Sequence, residues 1–357
     1  MDGRSLEELQ VIVPNLHWRY SGVTATNRMI APLLARLLAT AWLGADAPGA
    51  VARASFRDLI RLRFLRSREP VIWHARRNNE MMAGLVLKWL GWPLALVFTS
   101  AAQRHHTWVT RFLIARMDGV IAASEAAASY LALPATVIPH GIDIARFTPA
   151  ADREAAYAAT SLPGKYAIGC FGRVRAQKGT DIFVEAMCRL LPKYPDFTAI
   201  VIGAVTLEQR AFDAALKERV RAAGLSERVR FFGELPVEEV PRWYQRLLIY
   251  AFTSRNEGFG LTLLEAMAAG AALVAARAGA ADQVMREGET GFLVTPGDAD
   301  ALANAIEPLM RDPQRAAEMG RRGRERAAAE FSIDAEAEKI AAFYRRLCSV
   351  AKRARGV

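Results

Sequence analysis

Short apolar runs alternate with helical patterns along nearly the whole chain, and that alternation most constrains its fold. In the first half, Leu9–Val13, Thr40–Leu43, Val71–His74, Leu94–Thr99, Gly119–Ala122 and Thr136–Pro139 read as strands. Helical patterns lie between several of them, as at Asn79–Leu90 and Thr107–Met117. In the second half the strands are Tyr166–Gly172, Ala199–Gly203, Val229–Gly233, Ile249–Thr253, Ala272–Ala275 and Gly291–Val294. Helices intervene at Asp181–Leu191, Leu207–Ala223, Val237–Gln245 and Leu261–Ala269. Strand followed by helix, repeated this often, predicts an α/β protein of parallel sheets with helices on both faces.

The pattern pauses over residues 148–165, a polar, proline-bearing stretch with weak periodicity. It predicts two Rossmann-like domains, 1–150 and 151–330, with a cleft between the carboxyl ends of their sheets, where ligands usually bind. Helices at Ala299–Met310, Gln314–Glu330 and Ala335–Ser349 close the chain, and residues 331–357 are expected to pack back toward the first domain. A length of 357 residues suits two domains of ordinary size.

Several classes are excluded early. The longest apolar candidate, Gly84–Phe98, contains Lys88 and Pro93, short of the roughly 18 uninterrupted residues of a spanning helix. The start MDGRSLEELQ has neither the basic region nor the apolar block of a signal peptide, so a cytoplasmic protein is expected. Cys170, Cys188 and Cys348 are too scattered for a disulfide framework, and no spacing among the five histidines resembles a metal site. The net charge of +10 is uneven: residues 1–150 hold 17 basic against 10 acidic residues. Eight arginines fall within Arg53–Arg77, where Phe56, Leu59, Ile60 and Phe64 recur near helical spacing. Two readings stand: a basic amphipathic helix lying on anionic lipid, or a helix whose apolar residues enter the core. A basic cluster at Arg345, Arg346, Lys352, Arg353 and Arg355 ends the chain as a solvated tail.

The chemistry is concentrated in Ser254–Ala276, SRNEGFGLTLLEAMAAGAALVAA, which follows a strand and opens a helix. Gly258 and Gly260 let a ligand approach the backbone closely, and N–H groups at the helix start would face a phosphate. From Phe259 to Ala276 the one charged residue is Glu265, in a segment apolar enough to be buried. A buried carboxylate needs partners, and ligand hydroxyls or an arginine would serve.

Glu257 and Glu265, with seven residues between them within EGFGLTLLEA, resemble the E-x7-E signature of retaining glycosyltransferases of the GT-B fold, family 4. PHGIDIARFTP at 139–149, CFGRVRAQKG at 170–179 and GETGFLVTPGDADALANAI at 288–306 extend the likeness across the second half. The first half, around FTSAAQRHH and MDGVIAASE, is similar to alphaproteobacterial lipopolysaccharide core mannosyltransferases.

The resemblance implies roles. Glu257 would contact hydroxyls of the donor sugar and Glu265 the ribose hydroxyls, with Gly258, Phe259, Gly260 and Leu261 lining the donor. Arg173 and Lys178 would hold the diphosphate, where cations stabilise the charge gathered by the leaving group. Gly22, in the loop after the first strand, and Gly203, at a strand end, would approach the donor. Ile202 and the Gly233–Leu235 strand end are placed near the base. Ser100 occupies the place where the family often has a histidine, so His105 or His106 is expected near the reacting centre. Gln103, Arg104, Arg76 and Arg77 suit an acidic acceptor. His140 reads as structural. His17 and His74 have no assigned role.

The implied reaction moves a sugar, mannose from GDP-mannose, to the Kdo of a lipopolysaccharide core with retention. No metal or other cofactor and no nucleic acid is expected. A lipid-borne acidic acceptor fits a protein peripheral on the cytoplasmic face of the inner membrane. Alternatives are a UDP sugar with another glycolipid, and a non-enzymatic protein binding an anionic surface or nucleic acid. The second leaves both glutamates unexplained. A nicotinamide oxidoreductase would need G-x-G-x-x-G after a strand, and neither CFGRVR nor EGFGLTLLE provides it. A phosphorylase would need a pyridoxal phosphate lysine motif, and a nucleotide-sugar epimerase could share only the architecture. Alanine at Ala272 replaces the proline common after the family's motif helix.

Overall fold

The computed structural model describes residues 6–17, 22–65 and 69–354, the side chains of 351–354 excepted. Ser21, Arg66, Arg68 and Arg355, and the side chains of Lys352 and Arg353, therefore lie outside the described residues. The chain divides into two compact units: Met1–His140 with Ile333–Val357, and Gly141–Ser332. The boundary thus falls at His140, ten residues before the predicted one, because the segment after it already belongs to the second unit. The Ile142 N–H bonds the Phe331 carbonyl at 2.8 Å, and Arg324 reaches the carbonyls of Ile144 and Phe147.

In the first unit the chain runs β1 (Val11–Asn15), α1 (Gly22–Leu37), β2 (Thr40–Gly44), β3 (Ala52–Ala54), α2 (Phe56–Phe64), β4 (Val71–Ala75), α3 (Asn78–Trp89), β5 (Leu94–Ser100), α4 (Trp108–Ile114), β6 (Gly119–Ala122) and β7 (Thr136–Val137). The second unit runs β8 (Tyr166–Phe171), α5 (Thr180–Leu190), β9 (Phe197–Ile202), α6 (Arg210–Ala222), β10 (Val229–Gly233), α7 (Val240–Arg246), β11 (Leu247–Phe252), α8 (Leu261–Ala268), β12 (Ala272–Ala276), β13 (Gly291–Val294), α9 (Ala299–Arg311) and α10 (Pro313–Glu330). Helix α11 (Ile333–Ala354) returns to the first unit.

Both sheets are parallel. Their orders are β3-β2-β1-β4-β5-β6-β7 and β10-β9-β8-β11-β12-β13. In each, the order reverses beside the first strand, the switch point where doubly wound sheets bind ligands. The ladders also part there. Between β1 and β4 the pairing ends at Ile12–Trp73, and the next residue but one on β1 is Pro14, which has no N–H to donate. Between β8 and β11 it ends at Tyr250–Gly169. The carboxyl ends of those strands therefore splay apart and leave room for side chains.

One core of the first unit is Val11, Val13, Ile72 and Val97 under α1 and α11, with Ile340 and Tyr344 buried. The other face packs Leu59, Leu62, Met81, Leu85, Leu113 and Ile114 of α2, α3 and α4 on the sheet. Here the core-facing reading of the arginine-rich helix is corrected. Leu59 enters the core, but Phe56, Ile60 and Phe64 are 68%, 56% and 74% exposed. The buried partner of Leu59 is Leu62, so the helix presents one apolar stripe inward and another outward. Strand β3 was also missed, being three residues at the sheet edge. Among the described residues no helix is long and apolar enough to cross a membrane.

In the second unit α10 lies against α8 and the turn after it. A Cβ on Gly320 would stand 2.1 Å from the carbonyl oxygen of Gly270. Alanine is the better helix former by about 1 kcal/mol, but the obstacle is backbone. Gly320→Ala is expected to lose about 1–3 kcal/mol, roughly 2–12 °C in the thermal midpoint. An unchanged midpoint in differential scanning calorimetry would show that the backbones can separate freely.

Candidate active site

At the second unit's switch point two loops are stitched together. The loop after β8 begins at Gly172, turns through Ala176–Lys178 and reaches Gly179. Gly179 has φ +68°, and a Cβ there would stand 1.9 Å from the Thr253 carbonyl oxygen, so only glycine lets the loop approach β11. From the other side, the Thr253 hydroxyl donates to the Lys178 carbonyl at 2.9 Å. The Arg255 N–H donates to the Gln177 carbonyl at 2.8 Å, and its guanidinium grips both oxygens of Asp181 at 2.8 and 2.7 Å. This two-point fork is the strong form of the arginine–carboxylate pair.

The stitch brings the predicted residues together. The Lys178 amine pairs with the Glu257 carboxylate. The second Glu257 oxygen accepts the Gly258 N–H at 3.2 Å. The Lys178 stem passes over Gly172, beside which Arg173 is exposed. Gly203 sits at the end of β9 against Gly172, its N–H bonded to the Gly233 carbonyl at 2.8 Å. Gly260 caps α8 with φ +95° beneath the Phe252 ring. Leu261 then opens the helix. Phe259, expected to line the donor, is instead a core residue at 4% exposure, and its carbonyl accepts the Ala280 N–H at 2.8 Å.

Glu265 lies half-buried in α8, and the partner anticipated as a ligand or an arginine is a tyrosine hydroxyl. Tyr244 of α7 donates to it at 2.7 Å. Burial pushes the Glu265 carboxyl above its ordinary value, with the Tyr244 hydrogen bond and the charge of Arg146 opposing. Burial and the neighbouring carboxylate in turn push Tyr244 well up, which keeps its hydroxyl a donor. Tyr244 packs between Phe171 and Phe147, with ring centroids 4.6 and 5.7 Å away. Neither Tyr244, Arg255 nor Gly279 was found from the sequence. Gly279, with φ +64°, lies against the Phe259 carbonyl and Glu257, and only its residue type hinted at a close approach.

The carboxyl ends of the first unit's sheet gather the other candidates. Arg77, expected to meet an acceptor, is engaged internally: its guanidinium donates to Asn15 at 3.0 Å, Thr24 at 2.8 Å and Glu80 at 2.9 Å. Glu80 is fully buried, and such a pair with satisfied hydrogen bonds fixes the parted ends of β1 and β4. Arg76 is half-buried, its N–H on the same Glu80 and its guanidinium 3.5 Å from Thr26. Gly22 opens α1 and is not in a loop; a Cβ there would meet nothing within 4 Å.

Ser100 ends β5, and the loop after it carries Gln103, Arg104, His105 and His106. His106 lies 3.4 Å from the Ser100 hydroxyl, and burial with Arg104 nearby lowers its pKa from the ordinary value. His105 and Arg104 are exposed, the histidine edge-on to Tyr130. Two other histidines are structural. His140 bonds Glu336 at 2.9 Å. His74 lies between Thr99 at 2.6 Å and the Tyr344 hydroxyl, and burial holds it well below its ordinary value. Among the described residues no three His, Cys, Asp or Glu side chains cluster as a metal set.

In Tyr244→Phe the Glu265 carboxyl is expected to titrate higher than in the parent protein, because the opposing hydrogen bond is gone. Carboxyl-carbon NMR across the acid range reads this directly; an unshifted titration would remove Tyr244 as the donor.

A profile of glycosyl transferases group 1 matches residues 152–326. The chain is 47% identical over 345 residues to the lipopolysaccharide core biosynthesis mannosyltransferase LpcC of Rhizobium leguminosarum bv. viciae, covering 96% of this chain and 97% of that protein. It is 44% identical over 348 residues to the corresponding enzyme LpsB of Rhizobium meliloti (strain 1021), covering 96% and 99%. Among solved structures, HepE of Anabaena in complex with UDP matches with TM-score 0.82 at 21% identity, over 95% of this chain and 100% of that one. At that identity the likeness concerns the GT-B fold alone. An identity of 47%, carried across both units and not only the second, makes the kinship plain: the chain belongs to the group 1 glycosyltransferases.

Proposed function

We propose that this glycosyltransferase moves mannose from GDP-mannose to a Kdo-bearing lipopolysaccharide core, with retention at the anomeric carbon. The observation that carries the reading is the adjacency of Lys178 and Glu257 at the switch point, with Glu265 further into the same motif helix. The relatives named above, both lipopolysaccharide core mannosyltransferases by name, support the sugar and the acceptor class.

The bond from the anomeric carbon to the donor phosphate breaks, and a bond to the acceptor oxygen forms on the same face. The acceptor proton passes to an oxygen of the leaving phosphate, so no protein base is required. The nucleoside diphosphate gains negative charge as it leaves, and Lys178, Arg173 and the start of α8 are proposed to stabilise it. Glu257 accepts hydrogen bonds from sugar hydroxyls, and Glu265 from the ribose. Arg76, Gln103, Arg104, His105 and His106 are proposed to hold the acceptor and set its hydroxyl. Arg77 is assigned to positioning Asn15 and Thr24. No metal or cofactor and no nucleic acid enters the reading, and the protein is placed at the cytoplasmic face of the inner membrane, where a lipid-borne acceptor is reached.

Titrating a panel of nucleotide sugars against the parent protein and Glu265→Ala tests the donor. GDP-mannose should saturate the parent, and the variant should bind about 10- to 100-fold more weakly. Preference for a UDP sugar would overturn the mannose assignment within the same family. Lys178→Ala should lower kcat about 100- to 1000-fold with the fold intact by circular dichroism; an unchanged kcat would remove Lys178 from the leaving-group site.

A further inference from the structure

The outward face of α2, α3 and α4 remains without a role. Of fifteen large apolar side chains exposed among the described residues, ten stand on these helices and the residue after α3. On α2, Phe56, Ile60 and Phe64 form one stripe at four-residue spacing. On α3, Trp89 is 68% exposed, and on α4 Trp108 and Phe112 are 78% and 44% exposed. The helices cover one side of one sheet, since Leu59 and Leu62, Met81 and Leu85, and Leu113 and Ile114 share a core beneath them. They also touch. The Trp92 indole donates to the Leu59 carbonyl at 2.6 Å, and Asn78 donates to Thr110 at 2.8 Å. The outward stripes therefore stand on one side of one sheet.

The charges on that face have one sign. Arg57, Arg61, Arg63 and Arg111 are exposed, and Arg116 follows α4. The two carboxylates on these helices point inward. Asp58 is 4% exposed and accepts the Ser55 N–H at 2.9 Å; Glu80 is fully buried on the Arg76 and Arg77 N–H groups. Beyond the helices Asp118 is exposed and paired with Lys88 at 2.6 Å, and Glu69, also exposed, follows α2. Arg63 lies over the rings of Trp92 and Phe64, 5.2 and 5.7 Å from their centroids. Such arginines keep their heads at the rim while the rings point outward.

We propose that this face docks on an anionic lipid bilayer, with Phe56, Ile60, Phe64, Trp89 and Trp108 entering the headgroup–acyl boundary and the arginines binding lipid phosphates. Large exposed apolar area alone would suit many partners. The exposed arginines, with both carboxylates of these helices buried, select a surface that is both apolar and negative, which an acidic bilayer is. The biological purpose rests on the lipid-borne acceptor proposed above, but docking needs neither donor nor acceptor.

The test is sedimentation of the full chain with vesicles of phosphatidylglycerol and phosphatidylethanolamine, against phosphatidylcholine alone. Binding is expected to the acidic vesicles, weaker at high salt. Phe56→Ser with Phe64→Ser should weaken it at least tenfold, and Arg57→Glu with Arg61→Glu similarly. All four sites are exposed, so folding and nucleotide binding should persist; a parent protein that binds vesicles but no nucleotide sugar would sink the transferase reading and leave the docking face standing. Failure of the parent to bind acidic vesicles, binding indifferent to both double variants, or a concentration-dependent dimer that the serine variants dissolve would overturn the proposal.

Discussion

The account depends on the clasp between two loops at the second switch point. Arg255 holds Asp181 by two hydrogen bonds and the Gln177 carbonyl by its own N–H, while Gly179 lets the backbones meet. The first loop has only the short 3-10 turn Ala176–Lys178, and the second has no regular structure to fix it. Without the clasp, Lys178 and Glu257, on loops 79 residues apart, would have no reason to be neighbours. The parallel sheet contributes the rest. Parting β8 from β11 after Gly169 makes room for polar groups at the strands' carboxyl ends.

The same logic explains the second glutamate. A carboxylate among apolar neighbours in α8 is tolerated because Tyr244, held in an aromatic cage, donates to it. Burial still raises its affinity for a proton, so the carboxylate retains an incentive to take further hydrogen bonds. Ribose hydroxyls would supply them. The site thus holds two carboxylates of different character: Glu257 balanced by a cation, Glu265 by a neutral hydroxyl.

Much of this was legible from residue pattern. Short apolar runs between helical patterns located twelve of the strands to within a few residues, and the glutamate pair with its glycines marked the loop that meets Lys178. What stayed hidden was set by distant neighbours. Arg77 reads as a free cation until Asn15 and Thr24, 62 and 53 residues away, are seen beside it. Tyr244 lies 21 residues before Glu265 with nothing to mark it. Helix α2 carries apolar residues on two stripes, and periodicity cannot say which faces the core. Strand β3 is three residues long and follows no alternation.

The most direct measurement is the anomeric configuration of the product. GDP-mannose and a synthetic Kdo-bearing lipid are incubated with the protein, and one-bond carbon–proton coupling at the new anomeric centre is read by NMR. The account predicts an α-mannoside, the configuration of the donor. A β-mannoside would contradict same-face transfer and require a base that the site residues do not provide; no mannoside at all, with the donor bound, would contradict the acceptor.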